Sequence, residues 1–530
     1  MCLERRITMN FVNALKETNN FTTTENGAIA LKSTNSACLD AFGSLGAMRN
    51  NHDNGTRAIN IFMAAFNENR ELAMRMLFYM RDIRGGQGER QLFRDIVTYL
   101  ATNYPDLVKK NLPNFLKFGR ADDILCLLDT SISPTVIDFI TLVIRNDVVA
   151  MNKGESITLM AKWLPSVNAS SEKTKYYARK ICKGLQWTER QYRKTLVRLR
   201  NYLKIVETKM SAREWSSIDY EAVPSKAASL YTKAFYNHDP KRYTNYVIDA
   251  ANGKAKINAK ALFPVDIIHK VRAMGWTNDE LQRAVLNAQW ENLPNYFEGT
   301  NESAICMVDT SGSMSGQPIE VALSLGIYCA DKCSGPFKGH FITFDSKPTV
   351  QEIKGRDIYE KVYSLKSINC ANTDIERAFY LILQTAIENH AKQEDIPNKL
   401  YIISDMQFDE ARGGGWSWSW RNGDRSPKPL TFMQTMREKY ALYGYTLPSI
   451  VYWNVRASEC GMFQETIDGE NCAIVSGYSP SLFEAVIKGT TYETVITEDG
   501  KEVVRQKIDP MTVMINTLMD ERYDSVICWA

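Results

Sequence analysis

Histidine is scarce in this chain, five among 530 residues, which leaves little material for histidine-based acid–base catalysis. No Cys-x-x-Cys pair occurs among the eleven scattered cysteines, so a zinc cluster is not expected. The cysteines read instead as small buried hydrophobes in a reducing, cytoplasmic setting. No apolar run reaches the roughly 18 residues that a membrane span needs. The opening Met1-Cys2-Leu3-Glu4-Arg5-Arg6 lacks a following apolar core of signal-peptide length, so export is not expected either.

What is present is an ordinary globular composition, 44% hydrophobic and 24% charged, with enough chain for two or more cores. The net charge of +3 hides a split. Residues 1–300 carry 42 Lys+Arg against 30 Asp+Glu, and residues 301–530 carry 22 against 31. A basic first half suits a polyanion; an acidic second half suits a cation and makes a poor nucleic-acid surface.

Residues 1–50 mix short apolar segments with Thr, Asn and Gly and read as an irregular arm packed on the helical body. Residues 51–298 are helical in pattern, as in Ile59, Phe62, Met63 and Phe66, with breaks spaced as in a succession of HEAT-like helix pairs. Gly85-Gly86-Gln87-Gly88 follows a helix and lacks a Gly-Lys-Ser/Thr ending, so it reads as a helix C-terminal turn and not a phosphate loop. From 299 to 530 strand and helix alternate, the signature of a doubly wound, mostly parallel sheet, ending in a hairpin and a helix. The expected fold class is thus an all-α array followed by an α/β domain.

The α/β half is organised around Ala304 to Gly316, an apolar strand running into Asp309-Thr310-Ser311-Gly312-Ser313. The Asp-x-Ser-x-Ser spacing gathers one carboxylate and two hydroxyls on one loop, a hard-oxygen set suited to Mg²⁺ or Mn²⁺. By itself the strand end reads equally as a phosphatase nucleophile or a solvated Asx turn. Thr373 at a helix start and Asp405 at the end of a second buried-type strand complete a set, because ligands collect beyond the carboxyl ends of open α/β strands. Asp309, Ser311, Ser313, Thr373 and Asp405 together resemble the metal-ion-dependent adhesion site of von Willebrand A domains. That resemblance implies one divalent cation that leaves a coordination position for a protein partner's carboxylate. A hydrolase is not expected. Ser311 stands where a haloacid-type phosphatase needs a second Asp, and Met314 stands where a Gly-x-Ser-x-Gly elbow needs its serine.

The strongest basic stretch contains Lys173, Lys175, Arg179, Lys180, Lys183, Arg190, Arg193, Lys194, Arg198, Arg200 and Lys204, interleaved with Tyr176, Tyr177, Trp187, Tyr192 and Tyr202. Leu196, Leu199, Leu203 and Val206 make an apolar stripe, which turns the cations toward solvent. The pattern suits backbone neutralisation and base stacking on single-stranded RNA, and equally a solvated helix face with core aromatics. The loop Gly413 to Arg421, with Trp416, Trp418 and Trp420, begins near Asp405 and reads either as a ligand-contacting rim or as a loop folded onto the sheet.

A helical array joined to such a domain resembles the Ro ribonucleoprotein family, a TROVE module plus a von Willebrand A domain, over nearly the whole chain. It is more similar still to uncharacterised bacterial and viral DUF2828-like relatives, through Thr24 to Ala28, Arg81 to Arg90, Gly119 to Asp123 and Lys162 to Pro165. The resemblance implies a non-enzymatic RNA-binding scaffold for small structured RNAs or single-stranded RNA ends. The alternative is a metal-dependent protein-interaction module, or a structural component, without RNA binding.

Overall fold

A computed structural model describes residues 20–49, 55–275, 279–300, 302–343, 348–365, 374–409, 432–457, 462–496 and 502–529. Thr373 and the loop 413–421 lie outside them. The described chain is mixed, a helical unit and an α/β unit. One compact unit takes residues 1–48, 295–356 and 360–517; the other takes 49–294, 357–359 and 518–530.

In the first, the sheet unit, a hairpin of β1 (Phe21–Thr23) and β2 (Ile29–Leu31) precedes a helix, Ala37–Phe42, and a six-stranded sheet. Its strands are β3 (Ala304–Val308), β4 (His340–Thr343), β5 (Thr349–Glu352), β6 (Lys399–Ser404), β7 (Ser449–Asn454) and β8 (Cys472–Ser476). A separate hairpin pairs β9 (Thr491–Ile496) with β10 (Glu502–Lys507). The sheet order is β5-β4-β3-β6-β7-β8, parallel throughout except for the antiparallel edge β5. β3, β6 and β8 are buried at every position, which is why they read as unbroken apolar runs and not as alternation.

The helix Gln317–Lys332 lies close on β3 because Gly326 has no side chain; a Cβ there would sit 2.5 Å from Val308 Cγ2. Tyr328, Tyr401, Trp453 and Phe483 form the aromatic centre of the core. From β3 the chain first builds outward to β4 and β5, then returns to place β6 on the other side of β3. That reversal is the switch point of the sheet, and the loops leaving β3 and β6 flank it.

The arm packs on the sheet unit, which corrects its expected place on the helical body. Leu31 exchanges backbone hydrogen bonds with Phe463, and Gly27 bridges to Asp409. Ser476 Oγ donates to Phe42 O at 2.7 Å and accepts from Gly46 N at 3.1 Å, so the arm covers the edge strand β8. The physical reason is that the Ser476 hydroxyl and the backbone of Ala457, Phe463 and Ile467 give the arm's polar groups partners, while Gly43 lies close on Ile474 of β8.

In the helical unit, Phe78, Phe93, Phe115 and Phe118 make a buried aromatic cluster. The glycine turn 85–88 closes the helix Arg70–Arg81: Gln87 N donates to Tyr79 O, Gly88 N to Asp82 O and Glu89 N to Met80 O. Arg81 and Asp123 form a buried pair at 2.6 Å, Arg94 joins Asp123 at 2.8 Å, and Arg120 binds Asp122 while stacking 3.8 Å over Trp163. The final residues belong here. Tyr523 stacks on Phe118, Arg522 pairs with buried Asp82, and Asn111 and Asn114 bond the backbone of Ile527 and Ser525. Among the described residues no helix is long and apolar enough to cross a membrane.

Candidate metal centre

Both carboxylates of the expected site stand at the switch point. Asp309 is the first residue beyond β3, and its N–H still donates to Ile403 O of β6 at 3.0 Å, so the sheet holds its backbone in register. Its Oδ1 accepts from Ser311 N at 2.9 Å, an Asx turn, and its Oδ2 from Ser404 Oγ at 2.5 Å. Asp405 follows β6 directly and accepts from Gln407 N at 3.1 Å. Between them Ser311 Oγ and Ser313 Oγ lie 3.0 Å apart, and the nearby Ser313 hydroxyl favours the charged form of Asp405. Asp309, Ser311, Ser313 and Asp405 are therefore brought together by two loops of the sheet unit.

The electrostatics are those of crowded, dry oxygens. Burial, and then the Asp405 charge, push Asp309 up to about 6, against the lowering bonds from Ser404 and Ser311. Burial raises Asp405 as well, opposed by Ser313, Gln407 and the nearby Arg456 charge. Arg456 stands at the rim, where its guanidinium donates to Ser313 O. Thr310 Oγ1 is buried with no hydrogen-bond partner among the described residues. Two desolvated carboxylates from two loops, with two hydroxyls and an orphaned hydroxyl oxygen beside Asp309, make a donor set that fits a hard divalent cation. Among the described residues no three His, Cys, Asp or Glu side chains gather to hold a metal; this set relies on hydroxyls beside two carboxylates.

Sequence reasoning missed the parts that hold the second loop. Thr24 Oγ1 donates to Phe408 O at 2.7 Å, Glu25 N to Gln407 Oε1 at 2.8 Å and Asn26 Nδ2 to Gln407 O at 2.8 Å. The arm turn thus grips residues 407–409 immediately after Asp405. Met406 between them takes a left-handed φ of 63°, a conformation that such an over-determined loop sustains. Ser404 was legible as a hydroxyl next to Asp405; nothing in the sequence points from Asn26 or Arg456 to this loop.

The basic stretch folds as two helices, Glu172–Leu185 and Glu189–Tyr202, and its cations divide. Arg200 donates to Ala161 O, Leu164 O and Ser166 Oγ and ties down neighbouring backbone. Lys175 pairs with Glu172, Arg179 with Glu189 and Lys180 with Asp129. Lys173, Lys183, Arg190, Arg193, Lys194, Arg198 and Lys204 are exposed. Arg190, Arg193, Lys194 and Arg198 share one face at helical spacing, opposite the buried Tyr192, Leu196 and Leu199. Tyr192 is core, and Tyr176 and Tyr177 both donate to Asp129; of the two, Tyr176, about half exposed, is the more open to stacking.

Comparison with known proteins gives two family matches. A domain of unknown function, DUF2828, matches residues 24–124 and 133–298. A second, DUF7788, matches residues 303–518. An uncharacterized protein of Acanthamoeba polyphaga mimivirus is 30% identical over 545 residues, covering 95% of this chain and 91% of that protein. The matched families include neither TROVE nor von Willebrand A, so the Ro resemblance is corrected to DUF2828, and the phrases that resemble the DUF2828-like relatives, Thr24 to Ala28, Arg81 to Arg90, Gly119 to Asp123 and Lys162 to Pro165, lie in the DUF2828 match. Those phrases build the arginine–aspartate network and the arm turn described above.

Proposed function

The chain belongs to the DUF2828 family, and on that footing we propose that it is a non-catalytic binding scaffold whose sheet unit holds a divalent cation, Mg²⁺ or Mn²⁺, in an adhesion-type site. The observation that carries this is the pair of buried carboxylates, Asp309 and Asp405, with Ser311 and Ser313 bonded to each other beside them at the switch point. Two neighbouring carboxylates out of water repel unless a cation joins them. Bound there, the cation supplies a coordination position for an oxygen ligand. Thr373 is the remaining ligand of this reading, and a carboxylate on a protein partner is the group it docks. The strand order supports the finer reading of a von Willebrand A-type domain, and sequence-adjacent helix pairs such as Thr56–Glu68 with Arg70–Arg81 support a HEAT-like array. Partner recovery from a lysate, with and without EDTA and with Asp309→Ala, tests the function. Recovery that ignores both EDTA and the substitution contradicts it.

One observation favours a second activity, RNA binding by the helical unit: the exposed row Arg190, Arg193, Lys194 and Arg198. Four phosphate contacts to a single strand give a log–log salt slope of about −3. Fluorescence anisotropy with a single-stranded RNA, repeated with Arg190, Arg193 and Arg198 changed to Glu, reads that slope. Equal binding by the triple variant removes this role.

A further inference from the structure

The arginine–aspartate network of the helical unit holds more positive charge than it compensates. Asp123 is shared by Arg81 at 2.6 Å and Arg94 at 2.8 Å, and Asp122 by Arg120 at 2.5 Å and Arg94 at 3.2 Å. Arg90 stands one turn before Arg94 at the start of the helix Gln91–Asn103, and its guanidinium has no ion pair or hydrogen bond among the described residues. Partial burial, and then the Arg94 and Arg120 charges, lower the pKa of Arg90, so the three are electrostatic neighbours, while each stays protonated. Four guanidiniums thus meet two carboxylates, an excess of two positive charges. The acids nearest in sequence are engaged elsewhere, Glu89 with Arg49 at 2.7 Å and Asp95 with Gln91 at 2.8 Å. Solvent reaches the cluster: Arg90 is exposed, and the side chains of Arg94 and Arg120 are 21% and 29% exposed.

We infer that Arg90, Arg94 and Arg120 form an anion site that takes a phosphate monoester, either of a small molecule or at the end of a nucleic-acid strand. A monoester carries close to two negative charges at neutral pH and offers three acceptor oxygens, which matches both the excess charge and the three guanidiniums. Planar guanidinium forks suit phosphate oxygens better than lysine ammonium groups do. Two of the three are already held in place. Asp122 and Asp123 fix Arg94, and Asp122 and the Trp163 ring, 3.8 Å away, fix Arg120, so binding costs little further side-chain freedom. Arg90 is the mobile member and closes on the ligand. The site is independent of the cation in the sheet unit and of the exposed row Arg190 to Arg198.

Isothermal titration of the full chain, in buffer free of phosphate and sulfate, tests it. Methyl phosphate, methyl sulfate and dimethyl phosphate are titrated into the wild type, Arg90→Gln and Arg90→Glu. Because Arg90 has no partner, Arg90→Gln is expected to keep the wild-type melting temperature. Methyl phosphate is expected to bind the wild type more tightly than either singly charged analogue, to lose about tenfold in affinity in Arg90→Gln and to bind Arg90→Glu undetectably. No binding of methyl phosphate, equal binding of the three ligands, or unchanged affinity in Arg90→Gln overturns the site; a loss in Arg90→Glu alone reduces it to general surface charge and overturns it too. A uridine hexamer with a 5′-phosphate and one with a 5′-hydroxyl separate the sources. Tighter binding of the phosphorylated strand, abolished in Arg90→Gln, supports a strand end, and equal binding of the two with methyl phosphate still bound supports a small molecule.

Discussion

At the scale of single residues, the chemistry turns on how buried charge is compensated. Asp309 and Asp405 are 0% and 3% exposed, and their hydrogen bonds come from hydroxyls and backbone, not from a bridging cationic side chain. Without a cation, Asp309→Asn removes one of two like charges while keeping the shape, and the variant is expected to match or exceed the wild-type melting temperature in EDTA. A loss above about 2 kcal/mol in EDTA would mean that the charge is already compensated. Arg200 and Lys194 make the opposite contrast in the basic stretch. Arg200→Ala leaves carbonyls of Ala161 and Leu164 short of a donor and is expected to cost about 2 kcal/mol in urea unfolding, whereas Lys194→Ala stays within roughly 0.5. Composition alone made these two cations equivalent. Which of them is structural depends on the backbone of residues 161–166, far enough away in sequence that spacing on one helix cannot reveal it.

At the scale of elements, the strand ends were legible because fully buried parallel strands leave a plain apolar signature and the residue after each is forced to the sheet's carboxyl edge. The support of the second loop was not, since it comes from a turn some 380 positions away, a pairing that periodicity never reports. The arm's grip makes a prediction at this scale. Asn26→Ala and Gln407→Ala free residues 405–409, so Mn²⁺ affinity is expected to fall about tenfold in each, with faster hydrogen exchange confined to that loop. Unchanged affinity alongside faster exchange would show that the loop needs no such support.

At the scale of the whole molecule, the two compact units are not two halves of the chain. Residues 1–48 belong with the sheet and residues 518–530 with the helices, so a cut near 298 separates each unit from a piece of itself. The shift in pattern near residue 300 separates helical from alternating sequence but says nothing of where the ends return. Asp82, 0% exposed, depends on Arg522 and Tyr523 from the last segment. Arg522→Ala is expected to destabilise the helical unit by roughly 3 kcal/mol, by leaving a buried carboxylate short of its counter-charge, with the Mn²⁺ affinity of the sheet unit unaltered. Urea unfolding followed in parallel with metal titration reads both; an effect on the metal alone would contradict the assignment of that segment.

The most direct test is a count of bound metal. Electron paramagnetic resonance of free Mn²⁺, titrated into the full chain, is predicted to show one ion taken up per chain by the wild type and none by Asp309→Ala or Asp405→Ala. Equal uptake by all three, or none by the wild type, would contradict the account.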